Sequence, residues 1–129
     1  MRLALLAFVL LAACGADGAP VPVLHSDEGF VLAFADPPES VVAAAVDAML
    51  RPFPAGLLTP VGLVVANPAY APPALQEDFS NRRYHGAVVW SWQQALLAKG
   101  LARQRARPDL SAPLRARLQS YGRFLDALR

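Results

Sequence analysis

The segment Asn81–Gln94, NRRYHGAVVWSWQQ, concentrates the side chains best suited to chemistry in this 129-residue chain. Tyr84, His85, Trp90, Trp92 and Gln93 combine aromatic faces, which can stack on the apolar faces of pyranose rings, with groups that hydrogen-bond hydroxyls. Gly86 among them would let the backbone come close to a neighbour or a ligand. At helical spacing Trp90 and Trp92 cannot point the same way, so one of them is expected in the core. Asp27 and Glu28, in the polar stretch His25–Gly29, are the carboxylates placed to do acid–base work, as a turn between two apolar runs that a substrate could reach. The competing reading of that turn is plain solvation. Glu77 and Asp78 are weaker candidates and read as ordinary loop acids. His25, His85 and Cys14 make no zinc pattern. Ser26 and Ser91 lack a nucleophile-elbow context, and no glycine-rich phosphate loop is present. No metal, cofactor, nucleotide or triad is therefore expected.

The elements that must position these residues are mostly helical. Val21–Leu24 and Phe30–Phe34 are β-compatible runs on either side of the polar turn. Asp36-Pro37-Pro38-Glu39 reads as a helix start, with Asp36 as cap, Pro37 in the first turn and Glu39 completing a capping box. That helix should run to about Leu50, where Pro52 and Pro54 stop it. Val61–Val65 is β-branched enough to be extended, and Asn67–Pro73, with three prolines, reads as loop. From Gly86 a helical pattern reaches about Ala106. Its first half is apolar nearly all round, which predicts an inner, covered helix. Ser111 is a candidate N-cap with Pro113 in the first turn. The last helix then carries Leu114, Leu118, Tyr121, Leu125 and Leu128 on one stripe, with Arg115, Arg117 and Arg123 off it. A covered helix followed by an amphipathic one forms an αα-hairpin.

The pattern Tyr84-His85-Gly86-x-Val-x-Trp90-x-Trp92 resembles the aromatic motif at the start of a late inner helix in six-hairpin glycosidases of the glycogen-debranching and trehalase-like kind. Thr59-Pro60-Val61-Gly62 and Ala66-Asn67-Pro68 are similar to the loop those proteins place before that helix. The resemblance spans about residues 21–128, but only residues 84–92 are specific. It implies a mainly α fold, an incomplete α/α toroid of αα-hairpins with a few short β segments near the N-terminus. A carbohydrate ligand would sit at the mouth, and hydrolysis of an α-glucan-type linkage would be the parent activity. A full toroid needs twelve helices, whereas three good ones are legible here. Glycoside hydrolysis needs two opposed carboxyls, and the family's general acid lies upstream of the aromatic motif. The chain alone is expected to be catalytically incomplete.

Composition narrows the classes. Hydrophobic residues make up 55% of the chain and mean hydropathy is +0.32, which excludes disorder throughout. The net charge of +2 is too small to point to nucleic acid. Residues 15–80 carry eight acids against one base, Arg51, whereas residues 81–129 carry ten bases against Asp109 and Asp126. Attraction between the halves, with arginines solvating outer helix faces, is the simpler reading; an anionic surface is the alternative.

Residues 1–14 have two readings. Arg2, the apolar run Leu3–Ala13 and Leu11-Ala12-Ala13-Cys14 resemble a bacterial lipoprotein signal with its lipobox, Cys14 being the lipidated residue. Residues 15–129 would then form the helical domain of a lipid-anchored envelope protein with a binding or structural role, attached to the membrane through Cys14. Otherwise residues 1–14 belong to an internal helix of a longer, cytoplasmic parent. A bare apolar patch beside the Gly86–Ala106 helix would favour the toroid segment, and a closed, polar-surfaced bundle the small lipoprotein.

Overall fold

The structure, a computed structural model, describes residues 18–19 and 21–128, so residues 1–14, with Cys14, lie outside the described residues. In chain order the elements are β1 (Leu24–His25), α1 (Glu28–Phe34), α2 (Glu39–Met49), β2 (Leu58–Thr59), β3 (Gly62–Leu63), β4 (Ala66–Asn67), α3 (Pro73–Asp78), α4 (Ser91–Arg105) and α5 (Ala112–Ala127). The fold is mainly α with short antiparallel strands, and these five helices do not show a toroid. Among the described residues no helix is long and apolar enough to cross a membrane.

Phe30–Phe34 is helical, not extended. Gly29, Leu32 and Ala33 fall on one helical face and are buried, while Phe30, Val31 and Phe34 fall on the other and remain exposed. With apolar residues on both sides, a run this short has no period that separates helix from strand. Packing against α4 decides the matter. Gly100 of α4 lies so near α1 that an added Cβ would stand 2.9 Å from Leu32 Cβ and 3.1 Å from the Ala33 nitrogen.

Helix α2 buries Val42, Ala45, Val46 and Met49, one stripe at helical spacing. Its start differs from the capping-box expectation. Pro38 occupies the cap position, and Asp36 instead pairs with Arg103 at 2.7 Å. Glu39 reaches across the molecule and accepts hydrogen bonds from the Ser111 amide at 2.9 Å and the Ser111 hydroxyl at 2.6 Å. Those bonds hold its carboxyl below the usual range. Ser111 is the N-cap of α5, as its sequence context predicts, and its oxygen accepts from the Leu114 amide. Leu114, Leu118 and Leu125 of α5 are buried, with Tyr121 and Leu128 packed beside them.

Charges off this stripe join the two halves of the chain. Arg117 pairs with Asp47, and Arg107 donates to the Pro37 carbonyl at 2.7 Å. This supports mutual attraction as the use of the uneven charge. Asp109, held below the ordinary range by its hydrogen bond from Arg107, closes the turn between α4 and α5.

The strands form two small antiparallel pairs, β1 with β4 and β2 with β3. Thr59 donates to the Gly62 carbonyl at 2.7 Å across the β2–β3 turn. Gly62 adopts φ +134° there, a region that favours glycine. Asn67, fully buried, donates to the carbonyls of Pro54 and Gly56 at 2.7 Å each and accepts from the Ala69 amide, fixing the loop. Within 67–73, expected as loop throughout, residues 73 onward enter α3. Pro73 sits at its first position, where a missing N–H costs nothing.

The predicted long helix starts late. Residues 86–89 stay outside the helix: the chain bends at Gly86 and Ala87, Val89 bridges Val64, and Val65 donates to the Val88 carbonyl at 2.8 Å and Ala66 to that of Gly86 at 3.2 Å. Val88 and Val89 are β-branched and suit such pairing. Helix α4 begins only at Ser91 and buries Gln93, Leu97, Gly100, Leu101 and Gln104, so it is covered along one stripe and not all round.

The fully buried Gln104 fastens α1 to α4. Its side-chain nitrogen donates to the carbonyls of Leu32 at 2.7 Å and Ala35 at 2.8 Å, satisfying acceptors that the end of α1 leaves open. Its oxygen accepts from Arg107 at 2.8 Å. Gln104→Leu preserves volume but strands the Leu32 carbonyl and takes one of two donors from that of Ala35, which Arg103 also reaches. Urea unfolding is expected to show a loss of about 2–4 kcal/mol; an unchanged midpoint would mean that solvent replaces the amide.

Candidate functional site

Three stretches lie side by side, residues 24–26, 64–67 and 86–89, joined by the β1–β4 pair and by a single antiparallel bridge between Val64 and Val89. Ser26 donates through its amide at 3.0 Å and its hydroxyl at 3.2 Å to the Val65 carbonyl, and Val65 and Ala66 pair onward to Val88 and Gly86. This small patch carries the polar segment at 25–28 against the segment 84–93, more than fifty residues away in sequence. Gly86 itself packs against the backbone that follows α3. An added Cβ there would lie 1.9 Å from the Ser80 carbonyl oxygen, so the close neighbour is backbone.

The aromatic residues of the motif gather at one end of α4. Tyr84 and His85 stand 4.6 Å and 5.1 Å from the Trp90 ring centre, and 4.9 Å from each other. Trp90 precedes the helix, with extended backbone, so the expectation that the two tryptophans must diverge is not met: their ring centres are 5.6 Å apart with planes at 31°. The cluster continues through Phe30, 5.9 Å from Trp92, to Phe34, 6.4 Å from Phe30. Tyr84 is 75% exposed, Phe34 64% and Trp92 50%, so the rings present a surface and not a core.

Polar groups border this face. Asp27, exposed, occupies the cap position of α1, and Glu28 is its first residue. The expected turn between strands is thus a helix N-terminus, where carboxylates are favoured. Gln93, buried in the first turn of α4, donates to Asp27 Oδ1 at 3.3 Å. Three buried side-chain polar atoms among the described residues have no hydrogen-bond partner: Glu28 Oε2, Gln93 Oε1 and Ser80 Oγ. Glu28 and Gln93 belong to the segments that carry the aromatic face, and Ser80 lies against Gly86 of the second one. Burial pushes the Glu28 carboxyl up to about 7, opposed by its backbone hydrogen bond and assisted by the charge of Asp27. Burial also lowers His25, with Asp27 opposing and His85 adding to the effect.

All seven residues singled out as catalytic or substrate-binding candidates, Asp27, Glu28, Tyr84, His85, Trp90, Trp92 and Gln93, therefore belong to one neighbourhood. His25, Phe30 and Phe34 join it without having been singled out. For Phe30 and Phe34 the available signal was their spacing of four, which places them together once the segment is a helix. His25 is tied in by the edge of its ring against Phe79 at 5.6 Å. Glu77 and Asp78 sit exposed on α3, and Asp78 faces Arg83 across 3.9 Å of solvated surface. Among the described residues no three His, Cys, Asp or Glu side chains group to hold a metal ion. A separate groove of about 370 Å³, lined by Val23, Leu24, Ala48, Arg51 and Tyr70 among others, shares no residue with the aromatic face.

The arrangement offers ring faces for stacking, acceptors that lack donors, and a carboxyl poised near neutrality to give or take a proton. Comparison with family models, with curated proteins and with solved structures found no match.

Glu28 makes stability depend on pH in a definite direction. Its folded pKa lies above its ordinary 4.5, so the folded state holds the proton more tightly than the unfolded one. The stabilisation is complete below pH 4.5 and is lost as the pH rises through about 7. Glu28→Gln removes this slope. In urea unfolding the variant should gain roughly 2–3 kcal/mol on wild type between pH 4.5 and pH 8. The opposite contribution of His25, at lower pH, is common to both proteins. Parallel pH profiles for the two would contradict the assignment, as would a carboxyl titration by NMR with a midpoint near 4.5.

Proposed function

We propose that this chain is a carbohydrate-related, glycosidase-like segment of helical hairpins whose sugar-binding face is the aromatic cluster, and that it does not complete hydrolysis alone. One observation carries the reading. Residues from two segments more than fifty positions apart converge: Gln93, next in sequence to the paired rings of Trp90 and Trp92, donates to Asp27, and Glu28 Oε2 and Gln93 Oε1 stay buried without a hydrogen-bond partner. A sugar supplies apolar ring faces for stacking and hydroxyls that can donate to Asp27, the exposed carboxylate held by Gln93. Within the α/α-toroid reading, α1 and α4 are neighbouring inner helices and α4–α5 is one hairpin. Glu28 is then the acid–base carboxyl, Asp27 a second carboxylate oriented by Gln93, and the opposed carboxyl that hydrolysis of an α-glucan-type linkage requires comes from outside this chain.

The exposed rings flanking α4 favour this reading over a closed, polar-surfaced envelope lipoprotein. That alternative, with membrane attachment through Cys14, rests on the leader outside the described residues.

Titration of the purified chain with maltooligosaccharides, followed by tryptophan fluorescence and calorimetry, tests the proposal. Binding in the millimolar range or tighter is expected, with Trp90→Ala weakening it about tenfold. No heat and no fluorescence change at about 10 mM sugar would remove the carbohydrate reading.

A further inference from the structure

The ring series does not stop at the residues that border the carboxyls. Phe30 and Phe34, four apart on α1, continue it with planes only 29° apart. Phe34 is 64% exposed, and nothing in the packing of α1 requires it: the buried face of that helix is Gly29, Leu32 and Ala33. Beyond it, the Lys99 ammonium lies 5.2 Å from the centre of the Phe34 ring. Lys99 is the only lysine of the chain, it is exposed, and no ion pair among the described residues involves it. The end at Asp27 therefore offers an exposed hydrogen-bond acceptor, and the far end offers an ammonium with three donors, which rests on the Phe34 ring and moves aside when a sugar takes that face.

We infer that Phe34 and Lys99 form a distal sugar subsite, so that the face takes a linear glycan of several residues, running from the carboxyls past Trp90, Trp92 and Phe30 to Lys99. The inference rests on the carbohydrate reading above. A sugar ring stacks on Phe34 while Lys99 donates to its oxygens. The residue types favour a glycan over a helical protein partner. Where helices of this chain pack on one another they use aliphatic residues, Leu97, Leu101, Leu114 and Leu118, whereas this face is made of rings, with Val31 the aliphatic exception.

The experiment is calorimetric titration of the whole chain with maltooligosaccharides of one to six units, for wild type, Phe34→Ala, Phe34→Tyr, Lys99→Gln and Trp90→Ala. Affinity should rise with length, by about tenfold from the disaccharide to the hexasaccharide. Phe34→Ala and Lys99→Gln should remove most of that gain, weakening the hexasaccharide several-fold more than the disaccharide; Phe34→Tyr, which keeps the ring, should retain it. Trp90→Ala should weaken every length. Both main substitutions are at exposed positions, so folding is preserved. Disaccharide binding with no gain in length, or with equal losses at all lengths in Phe34→Ala, overturns the distal subsite and leaves the carbohydrate reading standing. If no sugar of any length binds, the carbohydrate reading itself has failed and the subsite with it. Wild type that self-associates in sedimentation, and becomes monomeric as Phe34→Ala, would assign the face to protein contact and likewise overturn it.

Discussion

Helix α1 is seven residues long, too short to hold its shape unaided in water, and its conformation is supplied by α4. The stripe of α4 formed by Gln93, Leu97, Gly100, Leu101 and Gln104 is buried from end to end. Gly100 admits Leu32 and Ala33 to a distance no side chain would allow, and Gln104 takes up the carbonyls at the end of α1. Two turns earlier on the same stripe, Gln93 meets Asp27. The contact that gives α1 its helical form thus also sets where its first carboxylates stand. Loss of the close approach at Gly100 would displace Asp27 and Glu28 as a unit, without touching either residue.

The site opposes the fold that carries it. A buried acceptor without a donor costs about 1–3 kcal/mol, and Glu28 and Gln93 each present one. Large rings left half in water add a further unfavourable term, since burying a side chain of that size is worth about 1.5–3 kcal/mol. Elsewhere the chain is economical: Asn67 uses both ends of its amide, as does Gln104. Among the described residues, departures from this satisfaction are confined to the segments around 28, 80 and 93. Such concentration is how a binding surface differs from a poorly packed one.

What could be read from the sequence follows the range over which each signal acts. The α5 stripe and its Ser111 cap are local patterns, written within one or two helical turns, and they hold. The residues of the candidate site were legible by chemical type, because few side chains combine rings, amides and carboxyls so densely. Conformations set by distant partners were not legible. Phe30–Phe34 turns helical because α4 covers one side of it, and residues 86–89 stay out of the helix because Val65 and Ala66 hold them. Asp36 and Glu39 carry the local signature of a capping box, but Arg103 and Ser111 attract them more strongly. The lysine at the end of the ring series could not be anticipated, since its position over Phe34 depends on two helices meeting.

The bonds tying Asp36, Glu39 and Asp47 to Arg103, Ser111 and Arg117 span 67 to 72 residues of chain. They have a bearing on how the molecule is made. Synthesis runs from the N-terminus, so α1 and α2 leave the ribosome long before the helices that cover and neutralise them have been translated. Contacts of such sequence separation form late and slow the whole transition. Until the last turn of α5 is free, the nascent chain carries an acidic, half-apolar segment with no surface to close upon, the kind of intermediate on which chaperones act.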